Sequence, residues 1–502
     1  MGQMSAFWRL VGAGWVLIRA DALIPRELDP ILPPSARLAA RALRLFSGPR
    51  ARLGRPGQRL AGALEGLGPA AIKMGQFLST RADIFGASFA EDLSRLKDRL
   101  PPFPLAVARA EIERNLGRPI ETLFLALKEP VAAASLAQAH PAWLLDGRKV
   151  AVKVLRPGIE RRVAQDSAVL RLAAGLAERL VPEARRLKPR DFVEVVIRAL
   201  DLEMDLRFEA AGCAELGEVM ARDAYMAAPS VLWDGVGKRV LTLAWADGVP
   251  LSDPQSLELP GLDRKALADN ITRGFLAQAL DHGLFHADLH EGNLFIDAPA
   301  RVVAIDYGII GRLGPGERKY LAEILFGFLN RDYARIARIH FDAGYVPAHH
   351  DVDAFAQALR AVGEPIFGRD AREVSMGRLL AQLFEITALF EMALRPELVL
   401  LQKTMVTVEG VARRIDPAHD IWAAADPVVR RWITRELSPA AKVRDFADEA
   451  VKAIRALARL AEAPPATAVV VAPPKTMTPL AWFAAGAAVG ILAFAAGALA
   501  YG

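Results

Sequence analysis

The sequence predicts an α+β fold in two lobes, with a helical extension ahead of it and a C-terminal transmembrane helix behind it. Three observations predict this. A β-branched run, Val150-Ala151-Val152-Lys153-Val154-Leu155, follows a turn at Asp146-Gly147 and reads as a strand leaving a hairpin. A helical pattern dominates from 35 to about 125 and again from 263 to about 462. Finally, the 22 residues from Leu480 to Tyr501 contain no charge, enough to cross a bilayer as a helix.

Taken in order, residues 1–110 form the helical extension, 111–245 a small β-containing lobe, 246–461 a helical lobe, 462–479 a Pro-rich linker and 480–501 the span. Early in the extension, Arg9 and Arg19 bracket only nine uncharged residues, too few to span a membrane. The stretch around Phe7, Trp8, Trp15 and Ile18 either lies in the membrane interface or packs on the body. Eight arginines between Arg26 and Arg59 fit a surface against anionic lipid, and fit a solvated helical face as well.

A break at Leu100-Pro101-Pro102-Phe103-Pro104 ends the extension. Helices are expected at 159–181 and 189–220, a strand at Val240-Leu241-Thr242-Leu243, and one short strand pair near 293–306.

A 502-residue chain with 53% hydrophobic and 24% charged residues is expected to fold into more than one unit, which excludes wholesale disorder. A net charge of +5 is a weak argument for nucleic acid, and none is expected as a partner. Cys213 is the single cysteine, so no intramolecular disulfide and no cysteine-based metal cage can form.

The chemistry is concentrated in His286-Ala287-Asp288-Leu289-His290-Glu291-Gly292-Asn293, followed by Ile305-Asp306-Tyr307-Gly308. Phosphoryl transfer from ATP needs Mg²⁺ held on the phosphates and a carboxylate near the attacking oxygen. Kinase folds supply these with H-x-D-x-x-x-x-N and a D-F-G after a short hairpin. Here Asp288 and Asn293 hold the first spacing and Asp306 the second, with Tyr307 in place of Phe.

Upstream, Val150-Ala151-Val152-Lys153 matches the strand whose lysine contacts nucleotide phosphates. Glu209 lies where a helical partner for Lys153 is expected. On one continuous helix Asp205 and Glu209 share a face and Glu203 points away, although three acids so close also fit a solvated face. Where a Gly-rich phosphate loop is expected, the chain has Ala133, Ala134, Ser135, Leu136 and Ala137, residues that make a stiffer turn. His286 is expected to be structural, not a metal ligand.

At this point the chain resembles the UbiB/AarF/ADCK family of atypical kinases. The diagnostic K-x-G-Q of that family appears as Lys73-Met74-Gly75-Gln76. The resemblance covers roughly residues 60–320 and implies an atypical protein-kinase-like two-lobed fold. In the family the extension occludes the pocket where a protein kinase binds peptide, which places Lys73 and Gln76 over the site and Lys73 near Glu203 and Asp205 of the E-x-D motif.

It further implies that Lys153 contacts nucleotide and pairs with Glu209, that Asn293 and Asp306 hold Mg²⁺, and that Asp288 takes the catalytic-base position. The Ala-rich loop is linked there to altered nucleotide preference. The implied cofactors are ATP or ADP with Mg²⁺. The implied activity is ATPase-like, in support of ubiquinone biosynthesis at a bacterial inner membrane. Members of the family can carry two C-terminal spans; this sequence offers one, and Lys442, Arg444, Lys452, Arg455 and Arg459 ahead of it predict a single pass with a cytoplasmic body.

Membrane lipid, isoprenoid quinone precursors and other ubiquinone biosynthesis proteins are the implied partners. Gly486 and Gly490 permit a dimer. Two other readings stay open: a genuine phosphotransferase acting on protein or small molecule, and a nucleotide-switched lipid-binding scaffold without turnover.

Overall fold

A strand sends successive side chains to opposite faces, and this rule builds the small lobe. In the computed structural model, strand β4 (Lys149–Leu155) buries Val150, Val152 and Val154 on one face. Ala151 and Lys153 turn to the other. β4 lies between β3 (Ala137–Leu144) and β5 (Val240–Ala244) in an antiparallel sheet, with β1 (Phe124–Leu127) and the two-residue β2 (Ala132–Ala133) both paired to β3. The apolar face packs with Ile112 of helix Leu105–Leu116 and with Ile120, Phe124 and Leu127. That leaves the Lys153 face for the cleft.

The structure describes residues 3–23, 25–28, 34–48, 54–79, 87–94, 96, 101–180, 188–367, 386, 389–392 and 396–436. Residues Met1–Arg435 form one compact unit. Of the second unit, Glu436–Gly502, only Glu436 is described.

The extension holds α1 (Gln3–Arg19), α2 (Pro34–Arg44), α3 (Pro56–Leu67), α4 (Pro69–Ser79) and α5 (Ala87–Ser94). Leu64, Leu93 and Leu96 form a core among α3, α4 and α5. Gly75, the glycine of the K-x-G-Q run, is buried there. A Cβ on it would lie 2.3 Å from Leu96 Cδ1 and 2.7 Å from Leu64 Cδ1, so only glycine allows this close packing. On its other side Met74 reaches a cluster of Ala174, Val193 and Ile197, from α7 (Ile159–Leu180) and α8 (Pro189–Glu203).

The expected helix over 189–220 is two helices. It breaks at Met204, and α9 (Leu206–Asp223) starts afresh with Asp205 as its N-cap. The helical lobe is built on α10 (Arg264–Ala277), which packs against α14 (Pro396–Ile415). β8 (Leu294–Asp297) and β9 (Arg301–Ala304) are the expected strand pair. A further pair, β7 (Leu284–His286) with β10 (Ile310–Arg312), frames the motifs between them and was not anticipated. Its strands are only three residues long, too short for a visible alternation.

Part of the early arginine is taken up in ion pairs within the extension. Arg26 and Arg44 pair with the buried Asp21, Arg59 with Glu27, and Arg55 with Asp92. Among the described residues no helix is long and apolar enough to cross a membrane. The expected linker 462–479, the span Leu480–Tyr501 and Gly486/Gly490 lie outside the described residues, as do Arg50 and Arg52.

Candidate functional site

Because Val150, Val152 and Val154 are committed to the core, Lys153 can only project into the cleft. There its Nζ donates to both oxygens of Glu209, at 2.8 Å each, and lies 3.3 Å from Asp306 Oδ1. Glu209 is available because α9 begins three residues before it, with the Asp205 side chain accepting from the Arg207 N–H. Burial pushes the Glu209 carboxyl up to about 7, against the pull of the Lys153 ammonium. Burial also disfavours charge on Lys153, but Asp306 and Glu209 outweigh it and raise its affinity for the proton. Asp306, facing that ammonium, is held below the usual carboxylate range.

The backbone at Asp306 is left-handed, φ +60, a conformation that costs a non-glycine residue energy and tends to occur at functional sites. The surrounding contacts explain how it is held. Tyr307 is buried, its hydroxyl donating to Ala304 O at 2.9 Å and its ring 5.1 Å from that of His286. His286 is fully buried. Its Nδ1 accepts from the Asp288 N–H at 3.1 Å, so its Nε2 carries the proton donated to Ile305 O, also at 3.1 Å. Burial holds the ring below the usual histidine range. His286 is thus a strut between the two motifs, as the sequence reading expected.

Asn293 closes the loop, with Nδ2 donating to Asp288 O at 3.0 Å and its carbonyl oxygen accepting from the Ile305 N–H at 2.9 Å. Its side-chain Oδ1 has no hydrogen-bond partner among the described residues. A neutral amide oxygen, combined with a carboxylate such as that of Asp306, is a donor set that suits a hard cation such as Mg²⁺. Asp288 is partly exposed at the rim, with His290 Nε2 3.6 Å from its carboxylate.

The Ala-rich segment forms the bend between β2 and β3. Ala134 N–H donates to Ala137 O at 2.8 Å. None of Ala133, Ala134, Ser135, Leu136 or Ala137 has a positive φ, as expected of residues with a Cβ. Arg156, one residue beyond β4, clamps this bend: its N–H donates to Leu136 O and its Nε to Ala134 O, both at 2.8 Å. Gln138 ties the same strand to the Pro-rich break, exchanging hydrogen bonds with the Phe103 backbone.

On the extension side, Lys73 Nζ forms an ion pair with Glu203. Burial raises the Glu203 carboxyl despite Lys73, and the same carboxyl is electrostatically coupled to Asp306 and Lys153. The helical-face reading is corrected here. Glu203 ends α8 and turns to Lys73 of the extension, because the helix is interrupted at Met204 and its period does not carry across. Asp205 instead caps α9 and pairs with Arg207, and the described contacts do not bring it to Lys153 or Asp306. Gln76 is half-buried, three residues beyond Lys73 on α4.

Sequence reasoning missed Arg156, Thr404 and Arg414. Thr404 Oγ1 donates to Leu400 O of its own helix at 2.8 Å and lies 3.2 Å from Ala287 O, and Arg414 pairs with Glu291, so α14 packs against and braces the loop carrying Asp288. A threonine and an arginine over 100 residues downstream, with no motif around them, carry no local signal.

Comparison with known proteins agrees with this geometry. Residues 95–340 match the ABC1 atypical kinase-like domain and residues 359–420 the UbiB helical domain. A protein of Marinobacter nauticus described as a probable protein kinase UbiB is 39% identical over 88% of this chain and 82% of its own. A protein of the same description from Pseudomonas aeruginosa is 40% identical, over 88% of this chain and 84% of its own. Among solved structures, Rv3197 from Mycobacterium tuberculosis, determined in complex with erythromycin, superposes with a TM-score of 0.53. At 22% identity, over 78% of this chain and 97% of that one, it supports the fold alone.

Proposed function

The chain belongs to the UbiB family of ABC1 atypical kinases, and from that premise we propose that it binds ATP or ADP with Mg²⁺ and turns ATP over in support of ubiquinone biosynthesis. One observation carries the nucleotide reading. Lys153 lies within ion-pair distance of both Glu209 and Asp306, and the Asn293 side-chain oxygen has no partner among the described residues.

In this reading Lys153 is oriented by Glu209 and contacts the α/β-phosphates. Asn293 Oδ1 and the Asp306 carboxylate hold Mg²⁺, which when bound offsets the charge on the phosphate oxygens. Asp288 occupies the base position and orients the attacking hydroxyl or water. The bend Ala133–Ala137, clamped by Arg156, lies over the phosphates with little freedom to move. Lys73 and Gln76 cover the approach from the extension side, which favours water or a small lipid-side acceptor over a peptide.

The body acts at the cytoplasmic face of a bacterial inner membrane, attached by the single span 480–501, with isoprenoid quinone precursors and other ubiquinone biosynthesis proteins as its partners. Pairing of Gly486 and Gly490 would support a dimer. In cells, Asp306→Asn is expected to lower quinone content while protein levels hold. Normal quinone in that variant would remove nucleotide chemistry from the working activity.

A further inference from the structure

Helix α1 has apolar side chains on both sides. It packs on α7, where Arg9 bonds Asp166 at 3.0 Å, and turns half-buried Leu10, Ala13 and Leu17 inward. Its outer side carries Phe7, Trp8, Val11 and Trp15, all exposed, Trp8 at 66%. A surface helix normally turns polar residues outward, so this outer stripe requires an explanation.

The stripe continues past the end of α2. Leu45 is 83% and Phe46 58% exposed, and the Phe46 ring lies 5.7 Å from that of Trp15. Ser47 Oγ donates to Ile18 O at 3.3 Å and Gly48 N–H to Arg19 O at 2.8 Å, which locks this segment beside α1. Of sixteen exposed large hydrophobics among the described residues, eight lie between Phe7 and Phe46. They are therefore concentrated here and not scattered as on an ordinary surface.

We infer that α1 and the Leu45–Phe46 segment form a membrane-docking face that rests on an anionic bilayer, a second attachment independent of the C-terminal span. Charge favours lipid over the other occupants. Neither α1 nor α2 contains an acidic residue, and Arg19 and Arg41 are exposed. Two copies joined symmetrically through this patch would bring arginine against arginine. Tryptophan is suited to headgroup depth. With Arg9 in its middle, the 17-residue α1 lies on the membrane and does not cross it.

Cys213 is the sole cysteine and fully buried, so a cysteine introduced on the surface can be labelled alone. The full-length chain carrying Val11→Cys, Phe46→Cys or, as a control on β1, Leu125→Cys is labelled with an environment-sensitive dye. Each is reconstituted into vesicles of phosphatidylcholine, with or without phosphatidylglycerol, that contain headgroup-depth quencher lipids. Emission at positions 11 and 46 is expected to shift to the blue and be quenched, more so in the anionic vesicles, while 125 stays unchanged. Adding Phe7→Ser and Trp8→Ser is expected to reduce the quenching at 11.

Unchanged emission at 11 and 46 in both vesicle types would overturn the inference. So would equal quenching at 125, or a concentration-dependent blue shift without lipid, which would assign the face to a second copy. Nucleotide binding measured on the same samples is expected to match wild type, so failure of the docking face and failure of the nucleotide site are read separately.

Discussion

Two lysine–glutamate pairs flank the break at Met204, and they differ in what holds them. Lys153–Glu209 joins a central strand to the first turn of α9, inside the kinase-like body, and also involves Asp306. Lys73–Glu203 joins α4 of the extension to the last residue of α8, from outside that body. In the proposed function the first pair prepares a lysine for phosphate. The second spans the junction between the extension and the cleft, so its effect falls on closure. The same ion-pair chemistry serves two purposes because each lysine is anchored by a different element.

If that division holds, the two lysines separate in a single set of assays. Lys153→Ala is expected to cut steady-state phosphate release by on the order of a hundredfold or more, the scale for removing one preorganised charge from a phosphoryl-transfer site. Lys73→Met leaves Glu203 largely buried and unpaired and is expected to cost about 1–3 kcal/mol in urea unfolding. Lys73→Met/Glu203→Met is expected to recover most of that loss. Equal losses of nucleotide affinity in Lys153→Ala and Lys73→Met would break the comparison.

Gly75→Ala probes the same junction through packing alone. Its Cβ must displace Leu96 and Leu64, at about 1–3 kcal/mol for an overpacked core. Thermal unfolding should show the loss, and equilibrium nucleotide binding well below the transition should not.

The smallest effect concerns pH. Burial raises the Glu209 carboxyl from 4.5 to about 7, so between those values the folded state holds a proton that the unfolded state has released. Its contribution to stability therefore falls as pH rises through that window. Glu209→Gln removes the titration and is expected to flatten that part of the stability–pH curve.

What was legible in the sequence follows the same division. Lys153, Asp288, Asn293 and Asp306 stand out in the sequence because the kinase-type motifs that carry them have fixed residue types and spacing within short segments. The lobes followed from the contrast between one β-branched run and long helical periods. Glu203 was misplaced because a helical period was carried across Met204, where the chain in fact restarts with Asp205 as a cap. Arg156 was missed because its role lies in donating to carbonyls on a neighbouring bend, and Thr404 and Arg414 because their partners lie over 100 residues away. The sequence left α1 open between packing on the body and resting on the membrane. The structure has it packed on one side with the other side uncovered, a division that a composition reading cannot make.

The most direct test of the central claim is phosphate release by the full-length chain in phospholipid vesicles with ATP and Mg²⁺, comparing wild type with Asp306→Asn. The account predicts sustained turnover by wild type and its loss in the variant. Tight nucleotide binding by both proteins without turnover by either would contradict it and leave a nucleotide-switched scaffold in its place.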